Sequence, residues 1–226
     1  MATREPIEIG EWYHCYSRGV DKRKVFQGRA DYERFTLLMY LGNRTNSVHI
    51  SNLKNRRLKQ VLSDPNLAPE TLLVEIGAYA LMPNHFHLLL KEEVEGGIAR
   101  FMQKITTGYT MYFNTKNERT GSLFSGTYKS KHVGDDRYLK KVASYIHLNP
   151  IELFEPRWKE GKADLARTKE WLTYPYSSAK VFFGGEEYEK KMLGTSLFNL
   201  FDDLPKWKDL VREAKEYYES SPFIKV

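Results

Sequence analysis

Apolar positions recur along the chain with two periods, and the switches between them mark out the elements. Residues 11–18 (EWYHCYSR) are aromatic-rich and predict a first strand. Asp31 is an N-cap type of residue, and Phe35, Leu38, Met39 and Gly42 then follow helical spacing to about Leu41. Residues 43–70 are polar and basic, punctuated by Asp64-Pro65 and Ala68-Pro69. They read as an insertion with a short helix over 51–62. Residues 73–81 and 85–91 predict two strands joined by a turn at Met82-Pro83-Asn84. Ile98, Met102, Ile105, Tyr109 and Tyr112 predict a helix to about Phe113, followed by a polar turn over 114–121. Residues 123–133 read as extended with a break at Gly126. A helix capped by Asp135 or Asp136 runs from there to about Asn149, where Pro150 is expected to end it. Beyond a charged connection over 151–170 comes a compact aromatic segment, 173–183. An amphipathic helix over 204–219 places Leu204, Trp207, Leu210, Val211, Ala214 and Tyr218 on one side.

Composition narrows the class. The 226 residues are 41% hydrophobic and 28% charged, which suits one packed domain with an appendage. The single cysteine, Cys15, excludes an intrachain disulfide and a Cys-rich zinc site. No run approaches the roughly 18 apolar residues a membrane span needs, and the N-terminus has no apolar signal core. The expectation is a soluble cytoplasmic protein without a membrane partner. The net charge of +6 is uneven, with +7 in residues 1–150 and −1 in residues 151–226. A local basic excess over 96–141 attracts a polyanion such as nucleic acid, although a solvated basic face has the same composition.

The candidate chemistry lies in two places. In a strand, His85 and His87 project to one face, with Phe86, Leu88 and Leu90 on the other. Two imidazoles on a rigid strand supply two nitrogen ligands for a divalent metal, yet surface or hydrogen-bonded histidines share that spacing. In YLKKVASYIHLNP, Tyr145 and Asn149 lie one helical turn apart on one face. Asn149 also reads as a C-terminal cap before Pro150. Tyr138 lies on the same stripe and competes with Tyr145. His14 and His132 fall on strands near the site, and His147 points off the Tyr145 face. All three are left out of the metal shell.

The blocks MPNHFHLLL, FMQKITTGYTMYFN, GSLFSGTYKSKHV, DDRYLKKVASYIHLNP and YPYSSAKVFFG occur in this order. Together they resemble the single-tyrosine HUH transposases, in particular the REP-associated tyrosine transposase branch, over about residues 12–184. The resemblance implies an α+β fold, with a central, mainly antiparallel sheet flanked by helices in a ferredoxin-like arrangement. It implies a transposase domain over 1–184. The sequence departs from the family in 43–70, longer than the usual link and read as an insertion, and in 185–226, which has no family block and is read as a helical extension packed on the domain. It assigns the nucleophile to Tyr145 and the metal to His85, His87 and Asn149, with Mg2+ or Mn2+ as the cofactor. The implied reaction nicks and rejoins single-stranded DNA beside a hairpin through a 5′-phosphotyrosine, in a monomer or homodimer. Arg100, Lys104, Tyr128, Lys129 and Lys131 are expected to carry the DNA.

Three other activities compete. A relaxase usually has its tyrosine before the histidine pair, the reverse of the order here. A metal-dependent hydrolase would have no covalent step. A catalytically silent nucleic-acid-binding regulator would use the same fold.

Overall fold

The computed structural model describes residues 6–46, 57–156, 158, 171, 174–182, 187–201 and 207–220. Four strands form one sheet: β1 (Trp12–Arg18), β2 (Val74–Met82), β3 (His85–Glu92) and β4 (Lys129–Val133). The spatial order is β2-β3-β1-β4, and every neighbouring pair is antiparallel. Helix α1 (Arg29–Gly42) lies between β1 and β2 in the chain, and α3 (Gly97–Lys116) lies between β3 and β4. The βαββαβ order with the β4-β1-β3-β2 arrangement is the ferredoxin-like α+β fold. A short α2 (Leu58–Ser63) follows α1. Of the helix expected over 51–62, residues 51–56 lie outside the described residues. So do 157 and 159–170 of the charged connection, Thr173 and Phe183 of the aromatic segment, and 204–206 of the terminal helix.

The sheet separates two layers. Phe86 and its neighbours on that face pack against α1 and α3, where Phe35 lies 5.0 Å from Phe86 and 5.1 Å from Tyr109 between ring centroids. The opposite face carries His14, Tyr16, His85 and His87. It is covered by α4 (Asp136–Leu148), which in turn packs against α8 (Trp207–Ser220). Three short helices, α5 (Ala179–Phe182), α6 (Glu187–Lys190) and α7 (Ser196–Leu200), precede α8. Ser177 bridges to Ala80, so the aromatic segment lines the β2 edge. At the opposite edge lies β4, with Lys129 and Lys131 exposed. No helix among the described residues is long and apolar enough to cross a membrane.

Local chemistry explains most boundaries and corrects two. Asp31 is not the N-cap: α1 starts at Arg29 after Gly28. The buried Asp31 carboxylate instead accepts the Gln27 N–H at 2.8 Å, Lys116 Nζ at 2.6 Å and Tyr112 Oη at 3.1 Å, tying α1 to α3. The α-helix ends just before Pro150, as expected, though the chain keeps coiling. The α-helix ends at Leu148, and a 3-10 turn continues over Asn149–Leu153, where a proline in the first turn loses no hydrogen bond. Regular pairing in the 123–133 stretch begins only at Lys129, after Gly126 turns at φ +69°. Asp135 caps α4 as expected, accepting the Tyr138 N–H at 2.7 Å. Glu92 at the end of β3 caps α3 through the N–H groups of Gly97 and Ile98.

Candidate active site

The histidine pair sits on the best-supported strand. β3 is bonded on one side to β1 and on the other to β2, so its residues have fixed spacing. His85 lies opposite Arg18 and Met82, and His87 opposite Tyr16 and Ala80. Both imidazoles leave one face, with ring centroids 5.0 Å apart at 86°. His85 Nδ1 lies 2.6 Å from the Asn84 amide oxygen. That contact selects the tautomer with the proton on Nδ1 and the Nε2 lone pair directed at the site. His87 Nδ1 lies 2.9 Å from His14 Nε2, and His14 Nδ1 lies 2.7 Å from the Tyr217 hydroxyl. Burial, aided by the nearby Lys131 cation, pushes the His14 pKa down to about 3, so this ring is neutral.

Tyr145 arrives from α4. Its ring stands edge-on to His87 at 5.5 Å and lies 5.1 Å from Tyr217. The side chain is 1% exposed, and burial drives its pKa well above the ordinary tyrosine value. The Asn149 amide, one turn along, opposes that rise. Asn149 is fully buried; its amide meets the Tyr145 hydroxyl, and neither of its polar atoms makes a well-formed hydrogen bond among the described residues. Asn149 does occupy the C-cap position of α4, with its backbone N–H bonded to the Ile146 carbonyl, and its right-handed backbone leaves the side chain free of any capping role. Tyr138, the competing tyrosine, packs 5.5 Å from Tyr217 with the Lys131 ammonium 5.2 Å from its ring centroid. Of these two α4 tyrosines, it is Tyr145 whose ring meets His87.

The basic residues divide between the two faces. Lys129 and Lys131 lie opposite Tyr16 and His14 on the site face. Lys129 also lines a cavity of about 290 Å³ with Arg18, Lys22, Asp21, Tyr16 and His85. Arg18 was absent from the sequence reading. It occupies the fifth position of the His14-Tyr16-Arg18 alternation, and its Nε is buried with no hydrogen-bond partner among the described residues. The alternation itself was the signal. Tyr128 points elsewhere, into a groove of about 520 Å³ shared with Gln103, Thr106 and Thr110 of α3. Arg100 and Lys104 also belong to α3, on the face away from the histidines. Arg100 bonds the Gly96 and Glu95 carbonyls, and Lys104 bonds the Arg44 carbonyl at 2.6 Å. Of the remaining histidines, His132 pairs with Glu11 at 2.8 Å. His147 faces Ser178 and Phe182 on the back of α4.

No three His, Cys, Asp or Glu side chains form a metal-holding cluster among the described residues. A cation here would take two imidazole nitrogens and the Asn149 amide oxygen. The buried amide, left without a well-formed hydrogen bond, makes that donor set chemically coherent, since an under-satisfied buried carboxamide is costly by itself.

No curated protein matches the chain. A solved structure described as a REP-associated tyrosine transposase bound to a REP hairpin aligns at 14% identity and a TM-score of 0.47, covering 81% of this chain and 84% of that one. The family model described as IS200-like transposase matches residues 12–149, which run from the first residue of β1 to Asn149. With more than half of its length inside that match, this chain belongs to the IS200-like transposases, a family of DNA transposases.

Proposed function

We propose that this transposase nicks and rejoins single-stranded DNA with Tyr145 as its nucleophile. The observation that carries the reading is the Tyr145 ring set edge-on against His87, with the buried Asn149 amide one turn away beside the Tyr145 hydroxyl. The Tyr145 oxygen attacks the scissile phosphorus and loses its proton as the new O–P bond forms. The bond from phosphorus to the 3′ oxygen breaks, and that oxygen leaves as a hydroxyl after taking up a proton. The product is a 5′-phosphotyrosine, whose phosphodiester energy is retained for a second 3′-hydroxyl to reverse the step. His85, His87 and Asn149 would hold Mg2+ or Mn2+, which would supply charge neutralisation to the scissile phosphate.

The residues of the chain do the rest. Arg18, Lys129 and Lys131 border the site face and receive the phosphate backbone. The His85 wall of the 290 Å³ cavity is the entrance for the strand. Tyr145 itself is covered by α8, so the strand reaches it when the α4–α8 packing yields. The sequence blocks of the REP-associated branch point to a hairpin with flanking single strand as the substrate.

A hairpin oligonucleotide with a 5′ single-stranded flank, incubated with Mn2+ and resolved on a denaturing gel, tests the reading. Wild type forms a covalent adduct, Tyr145→Phe binds the DNA without one, and Tyr138→Phe behaves as wild type. An adduct persisting in Tyr145→Phe removes Tyr145 from the role. The deep burial of Tyr145 favours one alternative, a DNA-binding regulator that does not turn over. Binding without an adduct in the wild type would select it.

A further inference from the structure

The contacts behind His87 form a continuous relay. Tyr217 on α8 touches His14 Nδ1 at 2.7 Å, and His14 Nε2 touches His87 Nδ1 at 2.9 Å. All three side chains are fully buried, so bulk water does not replace a deleted partner. The Lys131 ammonium, 5.5 Å from the Tyr217 ring centroid, packs that ring beside the relay. α8 lies outside the matched span of 12–149, yet its side chain ends two contacts from a proposed metal ligand.

We infer that Tyr217 and His14 are positioning residues that decide which nitrogen of His87 carries its proton, and hence whether His87 can ligate a divalent metal. The inference rests on the metal-site reading above. Each contact in the relay holds one proton, so two arrangements are possible for neutral rings. In the first, His87 Nδ1–H donates to His14 Nε2, and His14 Nδ1–H donates to the Tyr217 oxygen. His87 Nε2 then presents a lone pair to a cation. In the second, the Tyr217 hydroxyl donates to His14 Nδ1, and His14 Nε2–H donates to His87 Nδ1. His87 then carries its proton on Nε2, where it blocks ligation. A cation on His87 Nε2 enforces the first arrangement, and Tyr217 is then the acceptor that the His14 Nδ1–H requires. A phenylalanine in its place leaves the His14 Nδ1–H of that form buried without an acceptor, while keeping the ring that packs on Tyr145 and Tyr138.

Mn2+ binding to the full chain, followed by the electron paramagnetic resonance signal of the free ion, reads this without turnover. Wild type is expected to bind Mn2+ and His87→Ala to lose it. Tyr217→Phe is expected to weaken binding by on the order of 10-fold, the effect typical of removing an outer partner of a ligating histidine. Tyr138→Phe removes a neighbouring buried hydroxyl outside the relay and should bind as wild type. Long-range nitrogen–proton NMR on metal-free, 15N-histidine protein should show the His87 proton moving from Nδ1 towards Nε2 in Tyr217→Phe. Unchanged Mn2+ affinity in Tyr217→Phe, or an equal loss in Tyr138→Phe, overturns the relay alone. A wild type that binds no Mn2+, or a His87→Ala variant that binds it normally, overturns the metal-site reading and the relay with it.

Discussion

The Tyr145 phenol ring meets the His87 imidazole edge to face, with centroids 5.5 Å apart at 85°. A helix and a central strand that are distant in the chain are thereby locked at one contact, and Asn149 sits one turn beyond it. Removing the amide should separate its role from that of the phenol. Asn149→Ala is expected to lower Mn2+ affinity by about 10-fold or more, within the range seen when a metal site loses support. Hairpin DNA binding should remain. Asn149→Asp, which keeps the oxygen and adds charge, should bind Mn2+ at least as tightly as wild type. Calorimetric titration of both variants provides the check.

Arg18 offers the clearest separation of DNA contact from folding. Its Nε makes no hydrogen bond to the described residues, so truncation should leave the melting temperature near wild type. A lost charged hydrogen bond to phosphate is worth about 1.5–3 kcal/mol. Arg18→Ala should therefore weaken single-strand binding by about 10-fold or more in fluorescence anisotropy and reduce the salt slope by about 0.7. Lys104→Ala, on the other face and already bonded to Arg44, should leave affinity unchanged. An equal loss in that variant would move the DNA path onto α3.

His147 sets an acid limit on stability. Burial alone pushes its pKa down to about 3, whereas an unfolded histidine titrates near 6.5. Below about pH 6.5 the unfolded chain takes up a proton that the folded chain refuses. Its share of stability is therefore complete above that pH and is lost as pH falls towards 3. Between pH 7 and pH 5 the loss is on the order of 2 kcal/mol for this residue. Urea titrations at the two pH values should show it, and His147→Gln should flatten the difference.

Gly97 tests the start of α3. A Cβ there would lie 2.1 Å from the Leu73 carbonyl oxygen, which is backbone and cannot swing aside. Gly97→Ala should cost about 1–3 kcal/mol, as overpacking typically does. A thermal melt within a degree of wild type would show that the α3 start can shift.

Much of this was legible in the sequence because it depends on period. The alternation in HFHLLLK places His85 and His87 on one face whatever surrounds them, and helical spacing does the same for Tyr145 and Asn149. Asp135 as a cap is equally local. What escaped depends on the third dimension. Asp31 looks like a cap, but its carboxylate is used by Lys116 and Tyr112, which are far along the chain. Spacing along the chain does not reveal that α3, and Lys104 with it, lies on the sheet face opposite the histidines. The partnership of His14 with Tyr217 spans nearly the whole chain, and no spacing rule reaches that far.

The placement of Lys129 and Lys131 on β4 has a practical consequence. β4 is an outer strand with one row of backbone donors and acceptors not paired in the sheet, and charged side chains on such a strand discourage self-association. Stripping those lysines to test DNA affinity would also remove a guard of solubility. A drop in apparent affinity of such a double variant therefore carries meaning only when measured on its monodisperse fraction, with glutamine preferred over valine or isoleucine as the replacement.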